Sequence, residues 1–93
     1  MKIIIYGTTW CPSCMSAKRF FDEMNLRYDE INIEKENISR EKLAEITGGH
    51  TVPQIMINDQ CIGGFSELVS LNQSGKLKEL LSNEHWWQYN SIL

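Results

Sequence analysis

The chain has 93 residues, 42% of them hydrophobic, and a formal net charge of −3. This length allows one small domain with its own core but not a second domain. The slightly negative charge argues against nucleic acid or an acidic membrane surface as a partner, and no apolar run approaches the roughly 20 residues that span a bilayer.

The start of the chain and its cysteine usage predict a cytoplasmic protein. The apolar run that follows Met1-Lys2 is too short for the core of a signal peptide. In a reducing compartment, a close cysteine pair is more often catalytic or metal-binding than a structural disulfide. The close pair Cys11 and Cys14 is therefore predicted to be catalytic or metal-binding.

The first half of the chain predicts a strand, a helix and a second strand. Lys2 to Tyr6 is predicted to be a strand buried on both faces, because its isoleucines do not alternate with polar residues. A right-handed crossover would make the second strand, Arg27 to Ile33, parallel to the first. The helix between them is expected to place these apolar residues on one face: Met15, Ala17, Phe20, Phe21 and Met24.

The second half adds a helix, a hairpin and further helical structure. Ser39 is the predicted N-cap of the second helix, which ends at Gly48-Gly49. Two short apolar runs around Asn58-Asp59 predict an antiparallel hairpin. Ser66 is predicted to cap a third helix, and a last helical piece follows Gly75. The whole order predicts an α/β fold, a four-stranded mixed sheet with helices on both faces.

The segment Trp10-Cys11-Pro12-Ser13-Cys14 carries the chemistry. Two thiols three residues apart at the junction of a strand and a helix can close a disulfide across one helical turn. Unpaired N–H groups and the helix dipole favour a thiolate at Cys11, and Pro12 fits the first helical turn. A C-x-x-C pair near a strand–helix–strand unit is typical of a thioredoxin-like redox motif.

Four motifs, taken together, resemble the glutaredoxin family, within the thioredoxin fold. They are Cys11-Pro12-Ser13-Cys14, Ala17-Lys18, Thr51-Val52-Pro53 and Gly63-Gly64-Phe65-Ser66-Glu67. Each motif alone is a weak signal, but their order and spacing are specific. The resemblance extends to about Leu81, so we expect a glutaredoxin domain over residues 1–83. The aromatic tail, residues 84–93, is not covered, and its role is not predicted.

The resemblance implies a division of roles between the two cysteines. Cys11 would be the nucleophile, and Cys14 would resolve the mixed disulfide that Cys11 forms. Trp10, Pro12 and Ser13 would be their neighbours in the active site. Such exchange needs a thiolate that attacks a disulfide sulfur, so the position of each thiol on the helix matters.

The resemblance also implies a glutathione site built from two segments. One segment would contain a cis peptide bond between Val52 and Pro53, and the backbone of Val52 would pair with glutathione as a strand does. In the other segment, Gly64 would allow close approach, and the helix N-terminus at Ser66 would meet the γ-glutamyl carboxylate. The full set of implied glutathione-binding residues is Thr51, Val52, Pro53, Gly64, Phe65, Ser66 and Glu67.

Three residues depart from the usual family pattern. Thr8 stands three residues before the nucleophile, where the family commonly has Lys or Arg for the glycine carboxylate of glutathione. Ser13 replaces the usual Tyr between the cysteines, and Glu67 stands where Asp is usual. His50 could replace part of the missing charge, although a neutral imidazole would do so poorly.

These observations predict a monomeric dithiol glutaredoxin that uses glutathione and needs no metal. Ribonucleotide reductase is a protein client that the resemblance implies. Two alternatives use the same cysteines: an electron carrier recharged by thioredoxin reductase, and a module in which two chains and two glutathiones share an iron–sulfur cluster. A half zinc site completed by Cys61 and His50 or His85 is a further, weaker alternative.

Overall fold

The computed structural model describes residues 2–81. The predicted aromatic tail, residues 84–93, lies outside the described residues. A further helical stretch, residues 76–81, follows the last of the seven elements. These elements, in chain order, are β1 Ile3–Gly7, α1 Pro12–Glu23, β2 Asp29–Asn32, α2 Arg40–Thr47, β3 Gln54–Ile57, β4 Gln60–Gly63 and α3 Phe65–Ser74.

The four strands form one mixed sheet in the order β2-β1-β3-β4. β1 pairs in parallel with β2, whereas the β1–β3 and β3–β4 pairs are antiparallel. Asn58 and Asp59, in the turn between β3 and β4, have φ angles of 52° and 69°. Two successive residues with positive φ are typical of the hairpin turns whose twist suits the flanking strands. The predicted mixed sheet and hairpin are therefore confirmed.

The sheet is buried on both faces because β1 is apolar at consecutive positions. Ile3 and Ile5 belong to a cluster that also contains Phe21 of α1 and Leu68 of α3. Tyr6 belongs to a second cluster, built around Leu43 of α2. Successive side chains of a strand point to opposite faces. α1 and α3 therefore cover one face of the sheet, and α2 covers the other.

The sequence predicts both ends of α2 correctly but not the start of α3. The Ser39 hydroxyl accepts the Lys42 N–H at 3.0 Å, as expected of an N-cap, and α2 ends at Gly48, whose φ is +89°. For α3 the prediction is wrong, because the helix begins at Phe65 with Gly64 as its N-cap, and Ser66 lies inside the first turn.

The structure also differs from the sequence prediction at α1 and β2. Met15 and Met24 are 59% and 40% exposed, so the buried face of α1 is narrower than its apolar pattern suggests. β2 is shorter than the predicted strand, and Ile33 is buried just beyond its end. Within residues 2–81, no helix has the length and apolar character needed to cross a membrane.

Candidate active site

Cys11 and Cys14 form a disulfide at the N-terminus of α1, with their Cα atoms 5.1 Å apart. Cys11 is the N-cap residue, and its sulfur accepts the Cys14 N–H at 3.1 Å. Both side chains are buried in this oxidised form. The sulfur of Cys14 packs closely against β1, since a Cβ atom at Gly7 would lie only 2.8 Å from it.

Three segments meet at one end of the strands: the segment after β1, the segment before β3 and the segment after β4. The end of β1 leads to the disulfide, and Tyr6 lies opposite Gln54, at the start of β3. The end of β4 leads to the N-terminus of α3. A Cβ atom at Gly64 would lie 3.4 Å from the carbonyl oxygen of Pro53, so the residue just before α3 contacts the residue just before β3. The sheet register thus gathers the residues that the sequence assigned to one site.

Residues 48–53 form the loop between α2 and β3. Thr51 is exposed and Val52 is half-buried, and the peptide bond between Val52 and Pro53 is cis, as the resemblance implied. The Arg40 guanidinium, at the start of α2, donates to the His50 carbonyl oxygen at 3.0 Å. Arg40 therefore holds a positive charge beside this loop, a placement that the sequence did not reveal.

The N-terminus of α3 is capped by a side chain of the same helix. The Glu67 carboxylate accepts the Gly64 N–H at 2.7 Å. A carboxylate in the first turn is favourable because it faces the positive end of the helix dipole. Phe65 is half-buried, whereas Ser66 is exposed. The Gly64 N–H, just before the helix N-terminus that was expected to meet a glutathione carboxylate, is thus bound to Glu67 in this structure.

The surface around the disulfide contains an exposed tryptophan. Trp10 is 92% exposed, so it does not cap the edge of the core. Pro12 and Ser13 are also exposed, in the first turn of α1. The neighbouring Thr9 hydroxyl accepts a hydrogen bond from the Asn32 side chain at 3.0 Å, which ties the loop before Cys11 to the end of β2.

Lys18 is engaged away from the cysteines. Its ammonium donates to the Glu30 carboxylate at 2.9 Å across the α1–β2 boundary, which accounts for its charge without a role at Cys11. Nearby, the Tyr28 hydroxyl donates to Asp22 at 3.4 Å. Burial, and then the negative charges of Asp22 and Glu30, raise the pKa of Tyr28 above its usual value of 10.0.

Cys61 lies in β4, half-buried, and its thiol faces the side-chain oxygen of Gln54 at 3.5 Å. Within residues 2–81, no three side chains of His, Cys, Asp or Glu come together as they would at a metal site. His85, which completed one version of the zinc alternative, lies outside the described residues.

Comparison with known proteins gives the family. The glutaredoxin family model matches residues 3–62. The chain belongs to the glutaredoxin family. A glutaredoxin of Pseudomonas aeruginosa is 39% identical over 80 residues, which cover 86% of this chain and 95% of that protein.

Solved glutaredoxins share the fold. The buckwheat glutaredoxin–glutathione complex superposes with a TM-score of 0.78 at 28% identity, over 87% of this chain and 76% of that one. Wheat glutaredoxin gives a TM-score of 0.78 at 31% identity, over 89% and 81% of the two chains. The four-stranded mixed sheet with its helices is thus the thioredoxin fold of the glutaredoxins.

Membership in the glutaredoxin family makes this chain a thiol–disulfide oxidoreductase, and the Cys11–Cys14 pair is its redox-active pair. The disulfide form of the pair is oxidised by two electrons relative to the dithiol form. Disulfide exchange proceeds by attack of a thiolate on a sulfur and release of another thiolate. The N-cap position of Cys11 favours a thiolate there, because N-terminal N–H groups of a helix stabilise a negatively charged sulfur.

Proposed function

We propose that this chain is a glutathione-dependent dithiol glutaredoxin of the cytoplasm, which reduces protein disulfides and glutathione mixed disulfides. The observation that carries the proposal is the meeting of three segments at one end of the strands: the Cys11–Cys14 pair, the loop that contains Val52, and the N-terminus of α3. Backbone segments that meet beside a reactive sulfur can pair with an extended peptide through unpaired N–H and C=O groups.

The proposed cycle consumes one client disulfide and two molecules of glutathione. The Cys11 thiolate attacks a client disulfide and releases one client thiolate, and Cys14 then attacks the Cys11 sulfur and releases the other. The Cys11–Cys14 disulfide results. One glutathione thiolate then attacks Cys11 and frees Cys14, and a second removes the first as oxidised glutathione, which restores the dithiol.

The glutathione contacts that we propose follow the family pattern. The Val52 backbone would pair with the backbone of glutathione, between Thr51 and Pro53. The N-terminus of α3, over Gly64, Phe65, Ser66 and Glu67, would face the γ-glutamyl end. The buckwheat glutaredoxin, solved in complex with glutathione, supports this choice of ligand. Arg40, held against the His50 carbonyl, supplies a cation at the side of the loop.

The reductant is tested by following the oxidised protein in two coupled assays. We expect turnover with glutathione, glutathione reductase and NADPH, and little with thioredoxin reductase and NADPH. Ribonucleotide reductase is the first protein disulfide to assay, and a glutathione mixed disulfide of a small thiol is the second substrate. Turnover with thioredoxin reductase but none with glutathione would reverse the assignment. A brown protein from anaerobic purification would instead favour the iron–sulfur module.

A further inference from the structure

Two buried polar side chains flank the loop of residues 48–53. Thr47, the last residue of α2, is 8% exposed, and Gln54, the first residue of β3, is 5% exposed. Burial of a polar side chain costs free energy unless its hydrogen bonds are made inside the protein. The hydrogen bonds of these two residues therefore indicate what each side chain does.

Thr47 ties the start of the loop to α2. Its hydroxyl oxygen accepts the Gly49 N–H at 3.2 Å and lies 2.8 Å from the Leu43 carbonyl oxygen and 3.2 Å from that of Gly49. A hydroxyl has one proton, so it donates to one of these carbonyls at a time. The side chain thus fixes Gly49 against the last turn of the helix.

Gln54 supports the loop from its other end. Its side-chain amide donates to the Thr51 hydroxyl at 3.3 Å. The same amide packs directly beneath Gly49, since a Cβ atom there would lie 2.5 Å from the Gln54 Nε2 atom. Its backbone is held in the sheet opposite Tyr6. Gln54 therefore connects the rigid strand both to Gly49 and to Thr51.

We propose that Thr47 and Gln54 are positioning residues for glutathione. Together they fix the loop at Gly49 and Thr51, and so set where the backbone of Val52 meets the ligand. This inference rests on the proposed use of glutathione. Neither side chain needs to touch glutathione, because each acts through the loop backbone. A loop whose polar groups are aligned before binding loses less conformational entropy when the ligand binds.

The test uses substitutions that keep shape and remove the polar contact. In Gln54→Met and Thr47→Val, we expect the KM for glutathione to rise roughly five- to tenfold, the size of one lost neutral hydrogen bond, with kcat little changed. The dissociation constant of S-methylglutathione, which cannot exchange, should rise in parallel. The rate at which dithiothreitol reduces the Cys11–Cys14 disulfide should stay at the wild-type value.

Two matched variants separate positioning from general destabilisation. Thr47→Ser keeps the hydroxyl and should restore a KM close to wild type. Ile57 lies in the same strand as Gln54, but its buried side chain points to the opposite face of the sheet. Ile57→Val should therefore weaken the fold without raising the KM.

The outcomes also separate this inference from the proposed function. If the wild type turns over with glutathione but both polar-to-apolar variants keep its KM, only the positioning role is wrong. The same conclusion follows if Ile57→Val raises the KM as much as they do, or if Thr47→Ser fails to restore it. If the wild type neither binds S-methylglutathione nor turns over with glutathione, the proposed function fails and the positioning role fails with it.

Discussion

The two cysteines occupy different places in the same helical turn. Cys11 is the N-cap residue of α1, where its sulfur accepts a backbone N–H, whereas Cys14 lies inside the helix and packs against Gly7. A sulfur at the N-cap is close to the free N–H groups of the first turn. This difference is our reason for proposing Cys11 as the first attacker and Cys14 as the thiol that resolves the Cys11 adduct.

The first prediction separates these roles with Cys14→Ser. The variant should still remove glutathione from a small mixed disulfide, because a second glutathione can resolve the Cys11 adduct. It should fail, or slow severely, on a protein disulfide, whose own second thiol reverses the first step before release. Both substrates are assayed, and the trapped adduct is located by mass spectrometry.

The companion variant of this experiment is Cys11→Ser, which should lose both activities. The division of roles is wrong if glutathione is found on Cys14 in the wild type. It is equally wrong if Cys14→Ser loses both activities together, or if Cys11→Ser keeps either of them.

Thr8 is the site of a second prediction, because the family commonly has a cation there. In Thr8→Lys, the added ammonium should tighten glutathione binding severalfold, since a charge pair at a partly exposed site contributes roughly 1 kcal/mol or less. The gain should shrink as salt is added. Saturation with glutathione is measured at low and high ionic strength, with Thr8→Gln as the uncharged control of similar length. Equal gains in both variants would rule out a charge effect.

Among the elements, α2 is positioned by a cap at each end. The Ser39 hydroxyl satisfies a free N–H of the first turn, and Gly48 closes the helix in a left-handed conformation. We expect Ser39→Ala to lower the free energy of unfolding by about 1 kcal/mol. Urea denaturation measures this loss, and Ser39→Asp, which keeps an acceptor at the cap, should recover most of it. An unchanged midpoint for Ser39→Ala would show that the cap contributes nothing.

The start of α3 shows why one boundary could not be predicted from residue preference alone. Serine is a common N-cap residue, which favoured Ser66. The structure instead pairs Gly64 with a glutamate three residues later, an arrangement in which the Glu67 side chain accepts the N–H of the cap residue. Glycine has no side chain for the reciprocal bond, so the usual signature of such a cap, a Ser or Thr three residues before a Glu, is absent at Gly64.

Local patterns predicted the elements because the relevant forces act over a few residues. The apolar run of β1, the Asn58-Asp59 turn and the glycine after α2 each specify their own conformation. Contacts between distant segments could not be predicted in this way. Arg40 reaches His50, and Lys18 reaches Glu30, only because the finished fold brings their elements together. The placement of the Arg40 charge beside the loop was therefore not visible in the sequence.

On the scale of the whole molecule, the sheet separates two apolar clusters of unequal size. The larger lies under α1 and α3 and includes the helical stretch of residues 76–81 through Leu77. The smaller lies under α2 and includes Val52 of the proposed glutathione-binding loop among its partly buried neighbours. Substitutions in the larger cluster should therefore affect stability without directly moving the loop.

Phe21 tests this expectation, because it lies at the centre of the larger cluster and is fully buried. We expect Phe21→Ala to lower the free energy of unfolding by about 3–5 kcal/mol, through lost burial and the cavity left behind. That is a large part of the roughly 5–15 kcal/mol that stabilises a domain. Urea denaturation measures the loss, and a shift in midpoint at constant slope would show that the unfolded state is unaffected.

The neighbouring Phe20 provides the matched control. Its ring packs edge-on against that of Phe21, with centroids 5.6 Å apart, but Phe20 is only partly buried. Folding removes less apolar area from water at Phe20 than at Phe21. Phe20→Ala should therefore lower the free energy of unfolding by less than about 2 kcal/mol. In the folded fraction of either variant, the KM for glutathione should change far less than the stability, since neither phenylalanine belongs to the smaller cluster, against which Val52 packs. Equal losses of stability in the two variants would mean that burial does not decide which phenylalanine supports the fold.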